Sequence, residues 1–168
     1  EMLERYYNEL IFWNNKINLT TITKKEDVYL KHFYDSLTLV KSIDLNKIDT
    51  LCDVGTGAGF PGIIIKIFFP HIKLILVDAL NKRILFLKEI VKVLDLKDVE
   101  LIHARAEEYA LENREKFDLV VARAVAPLNI LLEYCLPLVK KGKNFIAMKG
   151  NEDITKSYNA LNILGGSI

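Results

Sequence analysis

Hydrophobic residues in the first part of the chain recur at the spacing of one helical face. Leu3, Tyr6, Leu10, Trp13 and Ile17 follow at intervals of three and four, and Leu30, Phe33, Leu37 and Val40 form a second stripe. The polar, β-branched stretch Asn18-Leu-Thr-Thr-Ile-Thr23 separates the two. The pattern predicts a helical cap over residues 1–45.

From Thr50 the pattern becomes an alternation of short apolar runs and helical stripes. The runs Leu51–Val54, Lys73–Asp78, Val99–Ala104, Phe117–Ala122 and Phe145–Lys149 read as strands, mostly continuous in hydrophobicity, as parallel strands covered on both faces are. A first helix opens at Pro61, a favoured first-turn residue, and stops before Pro70. A second carries Leu80, Ile84, Leu87, Val91 and Leu94, with Lys82, Arg83, Lys88 and Lys92 on its wetter sides. Later helices are expected over 107–115 and 127–139, and Gly142 is expected to turn the chain into the fifth strand. Such βα units predict an α/β fold: a Rossmann-like, doubly wound, mostly parallel sheet with helices on both faces. The whole of 1–168 reads as a single domain, with cofactor-binding βα units over 50–150.

Composition changes this picture little. With 168 residues, 51% of them hydrophobic and 27% charged, the chain has the proportions of an ordinary one-domain globular protein. No apolar run approaches the ~18 residues of a membrane span, and the mixed-charge N-terminus EMLERYYNEL is not a secretory signal. Cys52 and Cys135 lie in apolar surroundings without metal-like spacing, so two reduced thiols and a cytoplasmic location are expected. His32, His71 and His103 are too scattered for a metal site. A monomer is the default expectation. The first residue is not Met, and the ending Leu164-Gly-Gly-Ser-Ile168 is a place where a doubly wound domain can continue. Further residues are therefore expected at both ends, with 151–168 the start of a longer C-terminal portion.

The sharpest chemical signal is Asp53-Val-Gly-Thr-Gly-Ala-Gly-Phe-Pro-Gly62. Gly55, Gly57 and Gly59 lie between the first strand and the first helix, on the turn where ligands bind in this fold. A dinucleotide fingerprint GxGxxG starting at Gly55 meets Phe60 where glycine is required, although one starting at Gly57 is formally present. The acid at Asp53 favours the pattern D-x-G-x-G-x-G, suited to S-adenosylmethionine, which has no pyrophosphate to seat on a helix N-terminus.

Asp78 ends the second strand, where a carboxylate can accept hydrogen bonds from ribose hydroxyls or cap the following helix. Glu107, in His103-Ala-Arg-Ala-Glu-Glu108, is placed either to meet an adenine amino group or to favour a helix dipole. Arg123, in Val121-Ala-Arg-Ala-Val-Ala-Pro127, suits a methionine carboxylate or an RNA phosphate.

Several segments together resemble one family. They are Trp13 through Thr20, His32-Phe-Tyr-Asp-Ser-Leu37, the glycine motif, Leu76-Val-Asp with Asn81-Lys-Arg-Ile84, Arg105-Ala-Glu107, Val121 through Leu128, and Ala147-Met-Lys-Gly150. In consistent order over about residues 13–150, this set is similar to RsmG, formerly GidB, the bacterial 16S ribosomal RNA guanine-N7 methyltransferases. The resemblance implies a class I methyltransferase fold with a helical N-terminal cap. It also implies S-adenosyl-L-methionine contacts at Gly55, Phe60, Asp78, Ala79, Leu80, Ala106, Glu107 and Arg123. The implied partner is 16S ribosomal RNA or the small ribosomal subunit. Members of the family usually continue well past residue 168.

Guanine N7 has a lone pair and no proton, so its methylation needs no general base, and no catalytic residue is named. The chain lacks an Asn/Asp-Pro-Pro-Tyr segment after the fourth strand and a Pro-Cys nucleophile, as amino-group and pyrimidine-C5 methylation often use. Arg123 and Lys149 are candidates to touch the RNA base, and Lys140, Lys141 and Lys143 to touch phosphates. Trp13 reads as core, while His32, Asp35 and Ser36 either line the entrance or fasten the cap to the sheet. Three alternatives stand beside this reading: a methyltransferase for a small molecule or protein, a nicotinamide-dependent oxidoreductase, and a noncatalytic RNA-binding or ribosome-assembly factor retaining the fold.

Overall fold

The computed structural model describes residues 1–123, 126–150 and 154–168. Ala124 and Val125 of the Arg123 motif, and 151–153 at the start of the expected C-terminal portion, lie outside the described residues.

Five parallel strands, β1 (Thr50–Val54), β2 (Lys73–Asp78), β3 (Val99–His103), β4 (Phe117–Arg123) and β5 (Val139–Met148), pair in the order β3-β2-β1-β4-β5. The side-chain period of two sends alternate residues to opposite faces. Leu51, Leu74, Leu76, Leu119 and Val121 join one buried cluster, and Cys52, Val54, Ile75, Val77, Val120 and Ala122 the other. Helices α1 (Met2–Ile17), α4 (Gly62–Phe68) and α5 (Asn81–Val93) cover the first face. Helices α6 (Ala106–Glu112) and α7 (Leu128–Cys135) supply Ala110, Leu131 and Cys135 to the second, and α8 (Tyr158–Leu164) packs on α7. Both cysteines are buried and unbridged.

From β1 the chain builds β2 and β3 on one side, then crosses back to place β4 and β5 on the other. That makes the carboxyl end of β1 the topological switch point, where open α/β sheets bind ligands.

The cap departs from a regular pair of helices. Helix α1 ends at Asn18, in the left-handed conformation at φ 50°, and the side chain of Asn14 accepts from the amides of Leu19 and Thr20 at 2.6 and 2.8 Å. Trp13 packs edge-on against Phe86 of α5, as its place on the stripe predicts. The second stripe does not survive as read: Leu30 and Val40 are 58% and 49% exposed, whereas Val28, Phe33 and Leu39 are buried. The reason is local. Helix α2 (Lys25–Val28) runs into a π-helical turn at Tyr29–Tyr34, then into α3 (Asp35–Leu37) and a 3₁₀ turn at Thr38–Lys41. A widened turn followed by a tightened one resets the angular position of each residue, so a 3.6-residue period fails across it. His32 and Ser36 thereby join the buried face.

The fifth strand also differs. Instead of beginning after a turn at Gly142, β5 starts at Val139 and contains Gly142 at φ +74°. Phe117 pairs with Val139 but Leu119 with Asn144, so the extra residues bulge out of the ladder. The irregularity places Lys140 Nζ 3.0 Å from the buried Asp118. Asp118 in turn accepts from the amides of Asp49 and Thr50, fastening the amino end of the sheet.

Candidate active site

The carboxyl ends of the strands carry the sequence-predicted residues in one row. In spatial order these are Ala106 and Glu107 after β3, Asp78 on β2, the glycine loop after β1, Arg123 on β4 and Lys149 after β5. Strands ~4.8 Å apart make this a continuous rim. Lys140, Lys141 and Lys143 do not join it, because they occupy the amino-terminal half of β5 at the opposite edge.

The glycine loop is organised by two carboxylates. Asp53, fully buried at the end of β1, accepts on Oδ2 from the Thr56 hydroxyl and the Gly62 amide, both at 2.8 Å. Its Oδ1 is buried without a hydrogen-bond partner among the described residues. Burial pushes its pKa up to about 7, against the opposing pull of those two hydrogen bonds and the charge of Arg123. Asp78 accepts on Oδ2 from the Gly57 amide at 2.9 Å and on Oδ1 from the Leu80 amide at 2.9 Å. Arg83 of α5 lies 3.3 Å from Oδ2. One carboxylate thus shapes the loop's inner wall and the other ties its tip to the start of α5.

The loop fits an adenosine-bearing ligand. At Gly57, with φ +62°, an added Cβ would meet no protein atom within 4 Å, so a side chain there would project into the crevice rather than into the core. Asp78 lies beside that opening, with Leu80 44% exposed next to it. The Ala79 carbonyl, which can only accept, lies 3.1 Å from His103 Nε2, so the tautomer with its proton on Nε2 joins the ends of β2 and β3. Glu107 opens α6, exposed, with Arg105 at 3.8 Å.

The cap closes on the loop from the other side. Tyr6 of α1, fully buried, donates its hydroxyl to the Ala58 carbonyl at 2.5 Å. Gly59, at φ +92°, leaves the room this needs: a Cβ there would stand 2.6 Å from the Tyr6 oxygen. Phe60 stacks on Tyr6 at 5.3 Å and on His32 at 4.7 Å. Phe60 is 4% exposed, so its side chain packs between the cap and the loop and leaves little surface to a ligand. Arg123 sits 5.2 Å from the Phe60 ring centre and reaches the cap, with Nη1 3.3 Å from Asp35 Oδ2 and Nη2 3.1 Å from His32 Nδ1. An acceptor role for Nδ1 puts the imidazole proton on Nε2, which then donates to Thr20 Oγ1 at 2.9 Å. Burial, then the Arg123 charge, hold the His32 pKa down at about 4. Through these contacts His32 fastens the cap to the sheet, and Asp35 joins it there through Oδ2.

Tyr6 is the residue that sequence reasoning passed over. On a helical stripe it reads as core, and only the fold brings it to Ala58. Lys66, buried in α4 and donating to the carbonyls of Pro70 and Ile72 at 2.7 and 2.6 Å, was equally hidden in an apolar run.

Known proteins match this architecture and its sequence. The family model described as rRNA small subunit methyltransferase G matches residues 1–162. The chain belongs to this family. Ribosomal RNA small subunit methyltransferase G of Alkaliphilus metalliredigens is 52% identical over 100% of the chain and 72% of its own length. The protein of the same name from Macrococcus caseolyticus is 52% identical over 97% of the chain and 70% of its length. Among solved structures, an S-adenosylmethionine-dependent O-methyltransferase from Thermotoga maritima superposes with TM-score 0.65 at 15% identity, over 92% of this chain and 55% of that one. A methyltransferase from Aquifex aeolicus gives TM-score 0.59 at 21% identity, over 82% of each chain. At such identities the structural likeness speaks for the fold, and the family membership rests on the sequence. Among the described residues no helix is long and apolar enough to cross a membrane.

Proposed function

We propose that the chain methylates N7 of a guanine in bacterial 16S ribosomal RNA, using S-adenosylmethionine, in the cytoplasm where small subunits are assembled. Membership of the rRNA small subunit methyltransferase G family carries the substrate class. The observation that carries the cofactor is the pairing of the open Gly57 position with the Asp78 carboxylate across the same opening. S-adenosylmethionine supplies a methyl group activated by its sulfonium.

The chain's own residues bind and orient. Asp78 Oδ1, engaged by one amide, keeps acceptor capacity for a ribose hydroxyl. Leu80, Ala79, Ala106 and Glu107 line the side of the crevice suited to an adenine, with Glu107 the acceptor for its amino group. Gly55 and Phe60 shape the loop, and Arg123 lies beside it at the β4 end for the methionine carboxylate. Lys149 faces the substrate side. N7 carries no proton, so the rate rests on holding it in line and on the electrostatics of the site, without a general base.

Calorimetric titration with S-adenosylhomocysteine, with NAD as control, tests the cofactor. Micromolar binding of the first alone is expected, and binding of NAD alone would overturn the reading. Mass spectrometry of 16S ribosomal RNA after incubation should then find methyl at guanine N7. A methyl group on protein or on free small molecules only would remove the RNA assignment.

A further inference from the structure

A cleft of about 450 Å³ opens where the end of β5 faces the 3₁₀ turn of the cap. Its walls bring Asp35 and Ser42 from the cap against Ile146, Met148 and Lys149 from β5, over the buried Leu39. The volume lies within the roughly 300–1,000 Å³ of small-molecule sites. Met148 pairs in register with Arg123, so the cleft belongs to the same rim as the glycine loop and begins one strand beyond it.

Resting on the functional reading above, we propose that this cleft receives the target guanine, extruded from its RNA stack, and that Asp35 reads its Watson–Crick edge. The apolar faces of Leu39, Ile146 and Met148 suit the flat sides of a base, while Asp35 supplies directional acceptors. Asp35 Oδ2 is held 3.3 Å from Arg123 Nη1, which fixes the carboxylate. Its Oδ1 makes no hydrogen bond among the described residues, and the side chain is 48% exposed. Guanine offers two donors side by side, N1–H and the 2-amino group, which a carboxylate accepts with two oxygens. Adenine presents an unprotonated N1 at that edge and would leave the carboxylate facing a lone pair. A base held by its Watson–Crick edge keeps N7, on the Hoogsteen edge, free to react. A base paired inside a helix has its Watson–Crick edge covered by its partner, so the nucleotide must be extruded or already single-stranded for Asp35 to reach that edge. Lys149, at the rim with Nζ 2.6 Å from the Ala126 carbonyl, adds positive charge where a phosphate follows the base.

The experiment compares the parent chain with Asp35→Asn and Ser42→Trp on RNA carrying guanine or inosine at the target position, with S-adenosylhomocysteine affinity measured in parallel. Inosine lacks the 2-amino group and keeps N7. The parent should lose about tenfold in kcat/KM on inosine, the cost of one unmade charge-assisted hydrogen bond. Asp35→Asn should be reduced on guanine by a similar factor and should show almost no further loss on inosine. Ser42→Trp, which fills the cleft, should abolish methylation while changing cofactor affinity less than twofold. Equal losses of Asp35→Asn on both substrates would make Asp35 merely structural, and full activity of Ser42→Trp would empty the cleft of its role. Either result overturns this assignment and leaves the functional reading standing. A parent chain that binds S-adenosylhomocysteine but methylates no guanine defeats the functional reading, and this assignment with it.

Discussion

Asp53 and His32 are both withdrawn from water, and they respond to pH in opposite senses. Burial raises the Asp53 pKa from an ordinary 3.8 to about 7. The folded state therefore holds its proton where the unfolded state has lost it. The stability this contributes is fully present below about pH 4 and is lost as pH rises through about 7. Burial, with the Arg123 charge, lowers the His32 pKa from 6.5 to about 4. Its contribution is present above pH 6.5 and is lost as pH falls through about 4. Replacing Asp53 by Asn removes the first effect alone while keeping a side-chain oxygen for Gly62 and Thr56. Urea denaturation at pH 5 and pH 8 should show the parent losing about 2–3 kcal/mol more than Asp53→Asn across that interval. Identical pH slopes in the two proteins would mean that Asp53 is ionised in the folded state throughout. His32→Phe keeps the stack on Phe60 and should flatten the acid side, below pH 6.5, instead.

Elements differ in how fully the sequence announces them, and the differences have local causes. Strand β2 appears over Lys73–Asp78, the residues its pattern predicts, because five of its six positions are buried and no competing period runs through it. The second cap helix departs from its pattern because a π turn breaks the period, and β5 because its bulge absorbs Gly142 within the strand. Irregular cap segments of this kind lack a long intact helix of their own, and Arg123 supplies an anchor for them through Lys31, His32 and Asp35. Arg123→Ala should therefore raise amide exchange over residues 29–41 by about tenfold or more, with β1, β2 and α5 unchanged. Arg123→Lys, a point charge in place of a planar fork, should fall between. Exchange that rises uniformly over the whole chain would deny the anchor role. Lys66 is a second such device, at the C-terminal turn of α4. Lys66→Met keeps the apolar stem and removes two donors, leaving the Pro70 and Ile72 carbonyls without them. A loss of about 1–3 kcal/mol in thermal or urea denaturation is expected, and no loss would show that water replaces the ammonium.

At the scale of the whole molecule, the rim of the sheet was legible because its functional residues stand at strand ends. Asp53, Asp78 and Arg123 could each be located from a strand pattern and the residues that follow it. What joins that rim to the cap was not legible, since Tyr6 stands 52 residues from Ala58 and nothing in its helical stripe marks it as a partner of the glycine motif. Their contact makes the cofactor loop a shared wall: β1 presents it, Asp53 folds it from beneath, and α1 holds it from above. The loop's position should then depend on a hydroxyl in the first helix. Tyr6→Phe keeps the rings stacked on Phe33 and Phe60 and removes only the oxygen, leaving the Ala58 carbonyl without its donor. Denaturation should show a loss of about 1–2 kcal/mol. Calorimetry should show S-adenosylhomocysteine bound roughly three- to tenfold more weakly, because part of the binding energy goes into restoring the loop. Lowered stability with unaltered affinity would mean that the loop keeps its shape through Asp53 and Asp78 alone and that the cap is only a cover. Weakened binding would instead make the N-terminal helix part of the cofactor site, although no residue of it need touch the cofactor.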